Sequence, residues 1–281
     1  MRRLIAMLLL MTLFTVQVIA LGRAGEQRNA LSDEGTAYVI PSPVLKITAL
    51  EFGNIVSDFL FLKATIFLGG ALQHHLTVKN SEWRWFYNDL NAATELDPYF
   101  LDPYYLGNAH LTWEAGMINE TNTLLEKGSR YRQWDWMLPF FLGFNYFYFL
   151  QDNNKASEYL MEASRKPGAS PLFASLAAKL AYKSNNVGNA ILFLEEITEK
   201  TDDESLKKAY RTRIEALRGI WSLDRAVDIY KRRFGKTPAD LNELIEAKVI
   251  QKLPRDPYGG TFFMGPDGRI KTTSDFKLLP H

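Results

Sequence analysis

The distribution of apolar and polar residues predicts an export signal at the start of the chain and helices through most of the rest. Arg2 and Arg3 precede residues 4–21, which are uncharged and largely apolar. Signal peptides that are removed have apolar cores of roughly 7 to 15 residues, so this longer run favours an anchor that stays in the membrane. Small residues near Ala20 would permit cleavage. We expect residues 1–22 to form a transmembrane signal-anchor, with a cleaved signal as the alternative.

A polar connector and a second apolar segment follow the anchor. Residues 23–43 are polar and end in Pro-Ser-Pro, which is typical of a linker. Residues 44–80 are strongly apolar, but four charged side chains interrupt the most apolar part, at Lys46, Glu51, Asp58 and Lys63. Charges at this density are costly inside a bilayer. The segment is therefore predicted to be an apolar helix that docks on the next domain, with a re-entrant membrane segment as the alternative.

From residue 81 onward the apolar pattern repeats with a period of about 34 residues. A Leu-small pair occurs at 106–107, 142–143 and 176–177, and an alanine occurs at 156 and 190. Small residues at these positions let two antiparallel helices approach closely. The pattern resembles the tetratricopeptide repeat. The resemblance implies an all-α fold in which residues 81–234 form degenerate helix pairs of an α-solenoid, including a weak last pair at 204–217 and 222–234.

Residues 140–150, FFLGFNYFYFL, are apolar on every side of the predicted helix. Helical spacing places Leu142 and Gly143 on the side that packs inside a repeat and Phe144 and Tyr148 on the other. In proteins similar to tetratricopeptide repeats that second side lines the concave groove in which ligands lie. The residues predicted to line it here are Tyr104, Asn108, Phe140, Phe144, Phe147, Tyr148 and Tyr182. Such a groove is filled either by the chain's own apolar helix or by a partner's helix or peptide.

The last segment, residues 235–281, has a different character. Pro238 begins a short amphipathic helix that is predicted to reach Ala247, and LPRDPYGG then forms a turn. TFFM and RIKTT, joined by GPDG, predict a β-hairpin. The turn resembles a segment of the major pseudopilins of type II secretion systems. A purely structural hairpin that caps the end of the solenoid is the alternative.

Composition and motifs narrow the classes of function. The net charge of +1 gives no basic excess for nucleic acid, and the absence of cysteine excludes disulfides and thiolate chemistry. None of the four histidines has metal-ligand spacing, and no phosphate loop or nucleophile motif is present. We therefore predict no catalytic residue, metal site or cofactor, and no nucleic-acid partner.

The segments taken together resemble a group of bacterial membrane-anchored tetratricopeptide repeat proteins without an established activity. The resemblance implies a single-pass protein of the inner membrane, held through residues 4–21, with its bulk in the periplasm. If the signal is cleaved, the protein is instead soluble in the periplasm. The function we expect is that of a non-enzymatic scaffold that binds one or more proteins, for example in a secretion or pilus-like assembly. The alternative is a protein that binds a lipid or quinone in the aromatic groove, as a carrier or an enzyme.

Overall fold

The computed structural model describes residues 40–73 and 75–274, together with Thr15 and Gln17. The predicted anchor and most of the linker therefore lie outside the described residues. The described part is mostly helical and contains a two-stranded sheet, which agrees with the predicted fold class at this coarse level. The chain divides into two compact units, residues 1–124 and 125–281.

The first unit is built from helices that start at recognisable signals. Its helices are α1 (Ser42–Ala49), α2 (Gly53–Gln73), α3 (Asn80–Leu96), α4 (Asp102–Leu111) and the first half of α5 (Ile118–Tyr131). A 3₁₀ turn, Leu50–Phe52, joins α1 to α2. Proline lies in the first turn of α1 and of α4, where its missing N–H costs nothing. The carboxylate of Glu82 accepts the N–H of Lys79, 2.7 Å away, and so caps α3.

Helix α2 packs on α3 through small residues. Its buried face has a small residue at every seventh position, Ser57, Ala64 and Ala71, with Leu60 and Leu68 between them. The hydroxyl of Ser57 donates to the carbonyl of Ala93 on α3 at 2.9 Å. A side-chain hydroxyl can reach a neighbouring helix backbone only when the two helices lie close together. One side of the apolar segment is therefore docked on the following helix.

The second unit continues as helix pairs followed by a hairpin. Its helices are α6 (Met137–Tyr148), α7 (Asn153–Ser164), α8 (Pro171–Lys183), α9 (Val187–Lys200), α10 (Glu204–Phe234) and α11 (Asn242–Glu246), and its strands are β1 (Phe262–Met264) and β2 (Ile270–Thr272). The side chains of Asp152, Ser170 and Asp203 accept backbone N–H groups at the starts of α7, α8 and α10. These residues are favoured N-caps, which explains why the helices begin there.

Helices α6 and α7 meet at Gly143. A Cβ atom added there would lie 2.8 Å from Cγ of Leu160 and 3.2 Å from the carbonyl oxygen of Ala156. Beside this contact the rings of Tyr146 and Tyr159 stack at 5.4 Å. The inward face assigned to Leu142 and Gly143 from helical spacing is therefore the face that packs on α7.

The predicted break between residues 217 and 222 is absent, because residues 204–234 form the single helix α10. No proline interrupts this stretch, and Gly219 lies inside the helix against Phe262, where an added Cβ would meet that ring at 2.9 Å. The helix ends at Gly235, whose φ of 69° is the left-handed conformation that glycine adopts readily.

The C-terminal hairpin belongs to the core of the second unit. Strands β1 and β2 pair antiparallel, as predicted, with Phe262 opposite Thr272. Ile270 is buried, its N–H donates to the carboxylate of Asp224 on α10, and its carbonyl accepts the hydroxyl of Tyr182 on α8 at 3.1 Å. The predicted helix from Pro238 to Ala247 is shorter in the structure, since α11 begins only at Asn242.

The turn before the hairpin is organised by Asp256. Its buried carboxylate accepts the N–H of Tyr258 at 2.9 Å, the hydroxyl of Ser274 at 2.7 Å and the hydroxyl of Thr272. The LPRDPYGG segment thus fixes the start of the hairpin to its end. This local role accounts for the aspartate in the turn without any ligand.

Candidate functional site

The outward side of α6 carries a cluster of rings, Phe144, Phe147 and Tyr148, which we call the α6 aromatic surface. Phe144 is half-buried and its ring stacks on that of Tyr148, with centroids 5.6 Å apart and planes 11° apart. Phe147 is 40% exposed and Tyr148 is 54% exposed. The cluster exists because Leu142 and Gly143 direct the opposite side of the helix towards α7. It presents rigid aromatic area to solvent.

Phe140, one turn before this cluster, is engaged inside the second unit. Its ring stacks on that of Phe173 on α8 at 4.8 Å, and Trp136 lies 5.4 Å from the same ring. Aromatic pairs at these distances stabilise helix packing. Phe140 therefore joins α6 to α8 and is not part of the open surface.

Three other residues predicted to line the groove, Tyr104, Asn108 and Tyr182, are buried or in contact with other parts of the protein. Tyr104 is completely buried, and its hydroxyl donates to the carbonyl of Pro98 at 3.0 Å. Asn108 is buried one turn later on the same helix. Tyr182 is half-buried and is bound by the hairpin through its hydroxyl. Helical spacing identified the side of the helix on which these residues lie, but it could not show that the chain itself covers that side.

A polar cleft of about 320 Å³ lies in the second unit. It is lined by Glu126, Ser129, Arg130, Gln133, Leu142, Tyr159, Glu162 and Lys166. The hydroxyl of Tyr159 donates to Glu126 at 2.8 Å, and that of Ser129 donates to Glu162 at 3.1 Å. Burial and the adjacent Glu126 carboxylate both raise the pKa of Tyr159, so the phenol stays protonated at neutral pH. These hydrogen bonds join α5 to α7, so the polar groups of the cleft serve to hold the two helices together.

The outward side of α2 is a second apolar surface. Ile55, Phe59, Leu62 and Ile66 lie along it, each between 54% and 65% exposed; we call these four residues the α2 apolar face. The whole segment Ser42–Gln73 is long and apolar enough to cross a membrane, judged by length and composition. Its four charges had led to the expectation that the segment docks on the next domain and does not cross a membrane.

Two of those four charges are neutralised by α3. The ammonium of Lys63 lies 3.0 Å from the carboxylate of Asp89, and that of Lys46 lies 2.7 Å from Glu95. Asp89 is fully buried, and burial raises the pKa of its carboxyl although the hydrogen bond from Lys63 opposes this shift. Asp89 could not be identified from the sequence, because a lone aspartate in a helix gives no sign of the lysine on the preceding helix.

No arrangement for metal binding appears in the part of the chain that the structure describes. Among those residues, no three His, Cys, Asp or Glu side chains lie close enough together to share an ion. What the geometry offers is two apolar surfaces, one on α6 and one on α2.

Comparison with known proteins does not assign the chain to a family. No protein-family model, no curated protein and no solved structure matches the chain.

Proposed function

We propose that the protein is a non-enzymatic, membrane-anchored scaffold of the bacterial cell envelope that binds a protein partner through the α6 aromatic surface. In this proposal residues 4–21 cross the inner membrane, the rest of the chain lies in the periplasm, and the helix pairs are tetratricopeptide-like repeats of an α-solenoid. The partner belongs to an envelope assembly, such as a secretion or pilus-like system. The observation that carries the proposal is the exposure of Phe147 and Tyr148 beside a stacked ring.

The shape of this surface favours a protein over a small ligand. Sites for small apolar molecules are concave and bury most of the ligand, usually 70 to 90% of its surface. Phe147 and Tyr148 instead project from one helix. Rigid aromatic side chains with one accessible side are typical of the energetically dominant residues in protein interfaces. Binding of a lipid or quinone is accordingly the second candidate.

The test is purification of the full-length protein from detergent-solubilised native membranes, followed by identification of associated proteins and lipids. We expect a stoichiometric protein partner, and we expect the double variant Phe147→Ala, Tyr148→Ala to lose it. Loss of two central aromatic residues weakens an interface by about 2 kcal/mol or more, which is roughly thirtyfold in affinity. The matched control is Leu192→Ala, because Leu192 on α9 is also apolar and exposed.

Circular dichroism of each variant verifies that the helices remain folded. A partner that stays bound to the folded aromatic variant overturns the proposed site. A stoichiometric lipid or quinone in place of any protein, lost in the same variant, establishes the second candidate instead.

A further inference from the structure

Helix α2 is apolar on both sides, but it is covered on only one. Its small-residue side packs on α3, while Ile55, Phe59, Leu62 and Ile66 point away from it. These positions follow helical spacing and form a stripe about 16 Å long. Exposed Ile47, Leu50 and Phe52 extend the apolar area towards the N-terminus. Continuous apolar areas of this kind mark contacts with a partner or a membrane.

The position of this stripe in the chain identifies its environment. Residues 4–21 are the proposed membrane anchor, and only residues 22–41 separate them from α1, a connector that reaches at most about 70 Å when fully extended. The stripe is thus held near a bilayer in every copy of the protein. This step rests on the membrane anchor in the proposed function.

The charges around α2 decide how it can meet the bilayer. Lys63 is bound to Asp89 and Lys46 to Glu95, so both ammonium groups are drawn towards α3 and away from the stripe. A crossing of the membrane by α2 would carry α3 with it, because the two helices pack along their length. Helix α3 holds the buried Asp89 and the exposed Arg84, which makes that immersion costly. Contact through one side only avoids this cost.

The border of the apolar stripe is polar, as expected for side chains at the level of the lipid headgroups. Helical spacing puts exposed Asp58 and Thr65 along one border of the four apolar side chains. The structure describes every residue of α2, and none of those on its outward face is a lysine or an arginine. Attraction to an acidic protein or to anionic lipid therefore has no source there, and apolar insertion is the interaction that remains.

We propose that α2 lies flat on the lipid bilayer, with the α2 apolar face inserted into the boundary between headgroups and acyl chains, so that the protein has a second membrane contact besides its anchor. Interfacial helices place their apolar side roughly 5 to 10 Å into this boundary. The contact fixes the orientation of the first unit relative to the membrane.

The absence of native cysteine allows a direct test. Single-cysteine variants Leu62→Cys and Ile66→Cys of the full chain are labelled with the fluorophore NBD and reconstituted into phosphatidylcholine vesicles, with or without brominated acyl chains. The matched control is Asn88→Cys, because Asn88 is an exposed residue of α3. We expect blue-shifted emission and several-fold stronger quenching by brominated lipid at positions 62 and 66 than at 88.

The lipid headgroup provides a second readout. Since the outward face lacks a cation, quenching at positions 62 and 66 should be the same in phosphatidylcholine and in mixed phosphatidylethanolamine and phosphatidylglycerol vesicles. Strong dependence on phosphatidylglycerol would overturn the apolar mode of insertion.

Other occupants give different results. Emission typical of water at positions 62 and 66 would show an uncovered stripe, and blue-shifted emission without quenching would show a protein cover. Disulfide formation between unlabelled Leu62→Cys chains would identify that cover as a second copy. Each of these outcomes overturns the bilayer contact, and none of them bears on loss of a partner by the Phe147→Ala, Tyr148→Ala variant.

Discussion

At the scale of single residues, close helix packing depends on positions where a side chain would not fit. Gly143 is the clearest case, because Leu160 and the backbone of Ala156 on α7 occupy the space that a Cβ would need. On α2 the small side chain of Ser57 does fit between the helices, and its hydroxyl donates to a backbone carbonyl of α3. A methyl group is therefore enough to disturb the contact at Gly143.

The variant Gly143→Ala should lower the free energy of unfolding by about 1 to 3 kcal/mol, because an overpacked contact forces the backbone or Leu160 to shift. The matched control is Gly188→Ala on α9, where nothing lies within 4 Å of an added Cβ. That change should stabilise the helix by roughly 0.5 to 1 kcal/mol. Denaturant unfolding of the full chain in micelles measures both, and equal stability of the two variants would contradict the packing at Gly143.

At the scale of elements, the two strongly apolar helices differ in what covers them. Helix α6 is packed by α7 and α8 and leaves Phe147 and Tyr148 exposed, whereas α2 packs mainly on α3 and, among the described residues, nothing buries the α2 apolar face. The pair between Lys63 and the buried Asp89 joins α2 to α3, and the pair between Lys46 and Glu95 joins α1 to α3 near the surface. The two pairs should contribute very differently to docking.

We expect Lys63→Met to destabilise the docking of α2 by roughly 2 to 3 kcal/mol at neutral pH, since it leaves the buried Asp89 carboxylate without its cation. The control Lys46→Met removes an exposed pair and should cost about 1 kcal/mol or less. Hydrogen exchange of the α2 backbone amides reports the difference. Similar protection in the two variants would show that the buried pair does not fasten the helix.

The pH dependence of the same contact follows from the raised pKa of Asp89, whose ordinary value is 3.8. The folded state favours the protonated carboxyl, so the stability that this group contributes is fully present below its ordinary pKa and is lost as the pH rises through the raised value. The free energy of unfolding of the wild type should therefore fall relative to that of Asp89→Asn over this range. A difference that stays constant from about pH 3 to 7 would refute the shift.

At the scale of the whole molecule, contacts between distant parts of the chain complete the second unit. The hairpin places Ile270 in the same core as residues of α8, α9 and α10, and its carbonyl binds Tyr182, 88 positions earlier. Asp224 of α10 receives the N–H of the same strand. The C-terminal segment is therefore part of the core of the second unit, where it packs on α8 and α10.

The hairpin contact predicts that Ile270→Ala destabilises the second unit by about 2 to 4 kcal/mol, because the change leaves a cavity in a fully packed core. Phe263→Ala, in the paired strand, is the matched control because Phe263 is exposed and should cost under about 1 kcal/mol. Thermal unfolding followed by near-ultraviolet circular dichroism compares them. A loss no larger for Ile270 than for Phe263 would mean that the hairpin does not close the core.

The sequence by itself determined the elements that depend on local chemistry. The helical faces of residues 140–150 follow from the 3.6-residue period, and the GPDG hairpin follows from the backbone preferences of turn residues. These properties depend on a few consecutive residues, so the local sequence is enough to predict them. The same reasoning failed between residues 217 and 222, where the helix continues through Gly219, which lies against the ring of Phe262 in the distant hairpin.

Only the tertiary structure decided which apolar side chains are buried and which charged side chains form ion pairs. The period of a helix cannot show that Tyr104 is buried, that the hairpin binds Tyr182, or that Lys63 meets Asp89 on α3. These outcomes depend on pairs of residues far apart in the chain, and burial and charge compensation are properties of the pair. Helices α6 and α2 have similarly apolar sequences but differ in exposure. Helix α6 exposes only a small cluster of rings, whereas the four residues of the α2 apolar face are all exposed.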